Sequence, residues 1–254
     1  MYRGFYISAN GMINQQRIIA LISGNVANVH TAGYKADTSI NTTFDERLIL
    51  VRGKNNRTGN ITYRTQEIVR ADLEQGSFEY TGSRLDMAIR GNVYFNIRPY
   101  SKLYEDDGEV LLTRNGQFNL DEEGYLALGS AGRVIGDDGE PIFIGTADFS
   151  VTEDGTINTE DGRTFRLQLT YVDSNEDIEK KGDNMFVNIT GTNVIPEGED
   201  YRIIQGAYER SNVDITEETI DVLAAQRLFE ACSTALSTID SINQRAATEI
   251  ASLR

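Results

Sequence analysis

Cysteine and histidine are nearly absent, with one of each in 254 residues, Cys232 and His30. A lone cysteine excludes an intramolecular disulfide and a cysteine-based zinc cluster, and the apolar neighbours of Cys232 make it a small helix-packing residue. A lone histidine gives a Ser-His-Asp or Cys-His arrangement only His30 to use, and His30 falls where the first predicted helix ends. No apolar run reaches the ~20 residues that span a bilayer. A secretory signal is not expected either, because Asn10, Asn14, Gln15, Gln16 and Arg17 interrupt what should be its apolar centre. Basic charge is scarce: 24 Lys plus Arg stand against 39 Asp plus Glu, a net charge of -15 that repels phosphate backbones and anionic membranes. No nucleic-acid partner is therefore expected. Gly-rich phosphate loops are missing, and the Asp-Gly steps lack the alternating Asp/Asn and distant Glu of an EF-hand. No catalytic, cofactor-binding or metal-binding residue stands out, so the chain reads as a non-enzyme.

What is present is concentrated at the two ends. Phe5, Met12, Ile19, Ile22, Val26 and Val29 fall on one seam with Ser8 and Gln15 as its polar members, the pattern of a helix that wraps a partner helix. Gly33 follows and can stop that helix in a left-handed conformation. At the other end Leu228, Cys232, Ala235, Ile239, Ile242, Ala246 and Leu253 share a seam, with Ile250 adjoining. Asp214 or Thr216 can cap this second helix, and Glu217 and Glu218 favour the positive end of its dipole. No proline or glycine occurs from Ser211 onward, so the helix should reach roughly 50 Å at ~1.5 Å per residue.

Between the ends the hydrophobic period becomes that of strands, in runs around Phe118 and Leu120, Leu126 and Leu128, Phe165 to Leu169, and Phe186 to Ile189. Asn115-Gly116, Glu123-Gly124, Asp138-Gly139, Asp154-Gly155 and Asp161-Gly162 supply turn signals. The predicted fold class is α+β: long N- and C-terminal helices packed as a coiled-coil-like pair bracketing an all-β domain. Residues 1–35 with 211–254 form the expected helical assembly domain and 71–205 the β domain. Residues 36–70 read as an extended connector, with a strand around Asn60 to Tyr63. Helices with a narrow apolar stripe are marginal alone and are stabilised by packing that stripe. Side faces such as Ile18, Leu21, Val222 and Leu223 remain after one pairing, and further copies of the chain are economical partners for them.

Ser23-Gly24-Asn25-Val26-Ala27-Asn28-Val29-His30-Thr31-Ala32-Gly33-Tyr34-Lys35 resembles the Asn-aliphatic-Ala-Asn and Thr-x-Gly-aromatic-Lys signature of the flagellar rod and hook protein family. Ser211-Asn212-Val213-Asp214 and Ala225-Gln226-Arg227-Leu228-Phe229-Glu230-Ala231 resemble the family's C-terminal signature. Gln75-Gly76-Ser77, the run from Thr81 to Gly91, and Leu112 to Phe118 look like its β-domain entry. The match is loose from about Phe149 to Ile204. Gly24, Val93 and Cys232 depart from the family pattern, which usually has a polar residue, a glycine and an asparagine there.

The resemblance implies a rod-type subunit of the flagellar basal body, exported through the flagellar secretion system and polymerised into a helical tube that encloses the export channel and transmits torque to the hook. Its expected partners are further copies of itself, other rod and hook proteins of the axial structure, and the export apparatus. The expected assembly interface comprises Met12, Ile19, Ile22, Asn25, Val26, Ala27, Asn28, Thr31, Gly33, Tyr34, Lys35, Asn212, Gln226, Arg227, Phe229, Glu230, Ala231, Ala235, Ile239 and Ile242. A hook-type subunit is the alternative within the family. A secreted β-domain adhesin or polysaccharide-acting enzyme, with the helices as an anchor, is the alternative outside it.

Overall fold

The computed structural model describes residues 2–42, 48–49, 60–61, 66–100, 110–174, 177–182, 184–189 and 200–252. They form two α-helices, α1 (Tyr2–Ala27) and α2 (Ile215–Ser252), separated in sequence by nineteen short strands. The chain divides into two compact units, one of residues 1–26, 37–70 and 214–254, the other of 27–36 and 71–213.

The first unit holds both helices. Asp214 caps α2, its Oδ1 accepting the Thr216 and Glu217 backbone N–H groups at 2.7 and 3.4 Å, and Glu217 and Glu218 occupy the first turn. These two hydrogen bonds favour the ionised Asp214 carboxylate and hold its pKa below the usual value. Thirty-eight residues at ~1.5 Å each make α2 about 57 Å long. Helix α1 runs through Gly24, beside which an added Cβ would meet nothing, and ends at Ala27. It therefore stops six residues before Gly33, whose left-handed φ of 64° belongs to the turn that follows. The segment expected as a connector carries paired strands: Asp37–Thr42 with Gln66–Ala71, and Leu48–Ile49 antiparallel to Asn60–Ile61. Tyr63, at the end of the expected strand, lies outside the described residues.

In the second unit, strand Val93–Pro99 is the hub of an antiparallel eight-stranded sheet. It pairs with Leu111–Thr113, Gly132–Val134 and Leu169–Tyr171. Its alternate residues face two cores, as a strand's period of two requires. Val93, Phe95 and Ile97 join the larger one with Met87, Ile89, Leu126, Ile157 and Leu167. Tyr94 joins the smaller one with Leu112, Val172, Ile178 and Phe186. A strand buried on both faces has no polar side to expose, and the buried Asn96 among these residues accepts a 2.9 Å hydrogen bond from Thr170 Oγ1.

The meander Phe149–Val151, Thr156–Thr159 and Thr164–Arg166 is turned by Gly155 and Gly162, both at positive φ. Gly116 differs from the other predicted turn glycines. Its φ is not positive, but a Cβ there would stand 1.6 Å from the Met87 carbonyl oxygen, so close backbone approach is what requires glycine. The unit closes when its last strands pair with its first: Arg202–Gln205 with Met87–Arg90, and Ala207–Glu209 with Phe78–Tyr80.

Candidate assembly interface

In the helix unit the covered residues follow a strict spacing. From Ile215 to Thr248 only Glu218, Val222, Ala225, Phe229, Cys232, Leu236, Ile239, Asn243 and Ala246 are buried or half-buried, at alternating intervals of four and three, and every other side chain is exposed. On α1 the same alternation runs through Gly4, Ser8, Gly11, Gln15, Ile18, Ile22 and Asn25, all covered, within a somewhat wider half-buried stripe. Three contacts tie the lines together. A Cβ on Gly4 would lie 3.0 Å from Ile239 Cδ1, one on Gly11 would lie 2.9 Å from Cys232 Sγ, and Asn25 Nδ2 donates to Glu218 Oε1 at 2.8 Å. The residue numbers rise on one helix as they fall on the other, so the helices run antiparallel.

These positions correct the seams read from sequence. Ser8, Gln15 and Ile22 are covered as expected, and so are Cys232, Ile239 and Ala246. On α2 the second line lies one residue away from the expected one; on α1 the covered stripe is wider and takes in Met12 and Ile19 of the expected line together with the line one residue before it. Phe5 and Val26 are exposed, while Gly4, Gly11, Ile18 and Asn25 are covered; Leu228, Ala235 and Ile242 are exposed, while Phe229, Leu236 and Asn243 are covered. Glycine carries no hydrophobic signal, yet it lets a partner helix approach closely. Gly4 and Gly11, seven residues apart, were the available sign. Leu253 and the side chain of Ile250 lie outside the described residues.

The expected interface residues divide accordingly. Val26, Ala27, Gln226, Arg227, Glu230, Ala231, Ala235 and Ile242 are exposed, and Met12 and Ile19 are half-buried. Phe229, Ile239 and Ile22 belong to the covered lines. Asn25 is buried and fully engaged inside its own unit: its amide exchanges two 2.9 Å hydrogen bonds with the Asp37 backbone besides the one to Glu218. Burial, with Asp221 and Glu217 nearby, holds the Glu218 carboxyl above its ordinary pKa against the lowering effect of that hydrogen bond.

In the β unit, Gly33, Tyr34 and Lys35 are buried rather than presented to a neighbour, and Asn212 is half-buried. A Cβ on Gly33 would fall 2.3 Å from the Arg114 carbonyl carbon, and Gly33 N–H donates to the Glu209 carbonyl at 2.7 Å. Lys180 Nζ stands 4.4 Å from the Tyr34 ring centroid. Lys35 Nζ donates to Glu209 Oε1 at 2.7 Å and to the Glu74 carbonyl at 2.6 Å. Burial lowers the Lys35 pKa, and the Glu209 carboxylate opposes that shift. Asn212 accepts from Ala36 N–H at 2.8 Å and donates to the Asp72 and Glu74 carbonyls at 3.1 and 3.2 Å. Thr31 and Asn28 are half-buried and bonded to each other, Thr31 Oγ1 donating to Asn28 Oδ1 at 3.1 Å. Thus the two terminal signatures meet inside the chain, Asn212 N–H donating to the Tyr34 carbonyl at 3.4 Å, and the residues that flank them, Ala36 and Glu209, add the bonds to Asn212 and Lys35. Glu209 and Arg114 carry no pairing signal in the sequence, since an acid in a strand and a base just past the end of one can each face solvent as readily as a distant partner.

The departures from the family pattern fit their surroundings. Val93 is buried in the larger core, and Cys232 fills the space beside Gly11. Among the described residues no group of three or more His, Cys, Asp or Glu is placed to hold a metal ion, and no helix is long and apolar enough to cross a membrane.

Residues 5–35 match the family model described as Flagella basal body rod protein, and residues 204–249 match Flagellar basal body rod FlgEFG protein C-terminal. The chain is 30% identical to the flagellar basal-body rod protein FlgG of Agrobacterium fabrum, over 94% of this chain and 96% of that relative. It is 28% identical to FlgG of Bacillus subtilis, over 96% and 97% of the two chains. It is 27% identical to the flagellar hook-basal body complex protein FlhO of Bacillus subtilis, over 98% and 99%.

Proposed function

This chain belongs to the flagellar basal-body rod protein family, and on that premise we propose that it is a structural subunit of the rod that polymerises through the exposed flanks of its two terminal helices. It is not an enzyme, and its place is the basal body of the flagellum. The observation that carries the polymerisation reading is where apolar surface remains. Fourteen large apolar side chains are exposed among the described residues, and ten of them stand on α1 or α2: Phe5, Tyr6, Ile7, Ile13, Val26, Ile215, Ile220, Leu223, Leu228 and Ile242. Large apolar side chains left exposed and concentrated on two helices support an interaction surface there.

Two flanks of each helix then have two uses. The line of Gly4, Gly11, Ile18 and Asn25 faces α2 within the subunit, as a coiled-coil-like antiparallel pair. The flank of exposed Phe5 and Val26, with Met12 and Ile19 half-buried between them, and exposed Leu228, Ala235 and Ile242 on α2 take neighbouring copies and other axial proteins. Repeating one such contact from subunit to subunit generates a helical tube. The tube would enclose the export channel through which the chain itself travelled, and would carry torque to the hook.

Leu228→Asp combined with Ile242→Asp tests the reading in cells lacking the native copy. Both positions are exposed in the subunit, so the purified variant should keep the circular dichroism and β-unit melting of the parent. Basal bodies isolated from those cells should lack the subunit, and motility should be lost. Rods of normal composition built from the double variant would overturn the assignment of this flank.

A further inference from the structure

Three charged side chains are buried among the described residues, and they are in contact: Lys35, Arg114 and Glu209. Two cations share one carboxylate. Glu209 Oε1 accepts from Lys35 Nζ at 2.7 Å and from Gly76 N–H at 2.9 Å, and its Oε2 accepts from Arg114 Nη1 at 3.2 Å. Arg114 Nη1 also donates to the Ile89 carbonyl at 3.3 Å and Nη2 to that of Gly91, Nε stays without a hydrogen-bond partner, and the guanidinium lies 4.6 Å from the Tyr94 ring centroid. The Glu209 backbone carbonyl takes the Gly33 N–H. One residue on the last strand of the β unit thereby holds the turn that follows α1, the 74–76 loop and Arg114.

The turn itself is not part of a sheet. Residues 32–36 are held by the contacts to Glu209, by Asn184 Nδ2 donating to the Ala32 carbonyl at 2.9 Å, by Lys180 over Tyr34 and by Asn212 on Ala36 N–H. The backbone ladder around Val93–Pro99 continues without it. We propose that Glu209 is an electrostatic latch that keeps residues 32–36 docked on the β unit, and that its loss releases this turn as a local opening while the eight-stranded sheet stays folded. The physical reason is asymmetry: two buried cations with an anion between them are held, but the same two cations without it leave an uncompensated buried charge, which is strongly destabilising. The elements with fewest ladder hydrogen bonds open first. This inference concerns contacts within the β unit and stands independently of the rod reading.

Glu209→Gln in the full chain tests it, read by mass-mapped tryptic cleavage after Lys35 and by hydrogen exchange. Cleavage after Lys35 and exchange at the Gly33 and Ala36 amides should rise at least about tenfold, while Phe95 and Leu112 amides stay within about twofold of the parent. Lys35→Met with Glu209→Gln removes one of the two stranded cations and should restore part of the protection at Gly33 and Ala36. Lys35 cleavage unchanged in folded Glu209→Gln would overturn the latch. A parallel rise at Phe95 and Leu112 would also overturn it, since Glu209 would then be an ordinary part of the global fold. Should Glu209→Gln fail to fold, Glu209→Asp, which keeps the charge but shortens the reach, is read the same way; selective opening of residues 32–36 supports the latch and global collapse overturns it.

Discussion

The two units of this molecule solve the burial problem in opposite ways. Of the buried apolar side chains among the described residues, only Ile22 and Ala225 belong to the helix unit; the others, many of them under 2% exposed, lie in the β unit. Among the described residues the helix unit instead leaves ten large apolar side chains exposed on two helices of 26 and 38 residues. A unit with two internal cores is stable by itself, whereas a helix pair with one thin seam is stabilised further by whatever covers its second flank. On the proposed reading, folding and assembly fall to different parts of one chain, and substitutions in the two parts should have different signatures.

The largest effect is expected where the β unit has no slack. Gly116→Ala would place a methyl 1.6 Å from the Met87 carbonyl oxygen, and a loss of more than about 4 kcal/mol should abolish cooperative unfolding in denaturant. Gly82→Ala, at φ 73° but with open space around it, should cost only about 1–2 kcal/mol for its left-handed backbone. Equal tolerance of the two changes would break the picture of a tightly closed β unit.

The next effect tests the helix pair. A Cβ on Gly11 stands 3.9 Å from Cys232 Cβ, within the span of a relaxed disulfide. Oxidised Gly11→Cys should form an intramolecular bond, visible as a mobility shift on non-reducing gels, and should stabilise the helices by about 2–4 kcal/mol in thermal melts. Gly24→Cys, with nothing within 4 Å of its Cβ, should not form that bond.

Smaller, and sharper, is the comparison of adjacent residues. Phe229→Ala empties part of the covered seam and should cost the subunit about 1–2 kcal/mol, less than full core truncation because the ring is half-buried. Leu228→Ala should stay within about 0.5 kcal/mol in the isolated subunit, while lowering incorporation into basal bodies.

The smallest effect depends on pH. The Glu218 carboxyl is held above its ordinary pKa, chiefly by burial. A group with a raised folded-state pKa contributes stability that is fully present below its unfolded pKa and is lost as pH rises through the folded value. Glu218→Gln should therefore raise the helix melting temperature near pH 7 and change it little near pH 4, as followed by circular dichroism. An equal effect at both would mean that Glu218 is not covered as described.

The sequence carried the class of each element well because that information is local. Asp214 with Glu217 and Glu218 marks the start of α2, and Asp154-Gly155 and Asp161-Gly162 mark turns that the backbone makes at positive φ. The candidate site was legible only in part. The lines of Ser8 and Cys232 were visible as seams, but each is flanked by two lines one residue apart, and the apolar one was the natural choice. The structure puts the glycine-bearing line of α1 and the Phe229 line of α2 in the covered positions. Gly33, Tyr34 and Lys35 were legible as a motif, and their burial was not, because their partners Arg114, Glu209 and Asn184 are distant in sequence.

The sequence by itself determined that two long terminal helices bracket a β region, that the chain is acidic with no chemistry built on cysteine or histidine, and that its signatures lie at the helix ends. Periodicity, caps and turn residues act over a few positions, so one chain suffices to read them. Only the tertiary structure decided which flank of each helix closes the pair and which stays open, that Asn212 of one signature bonds Tyr34 of the other, and that Glu209 beside them holds Lys35. Those choices depend on close approach and on the partnering of buried charge, which arise only when residues far apart in the chain meet.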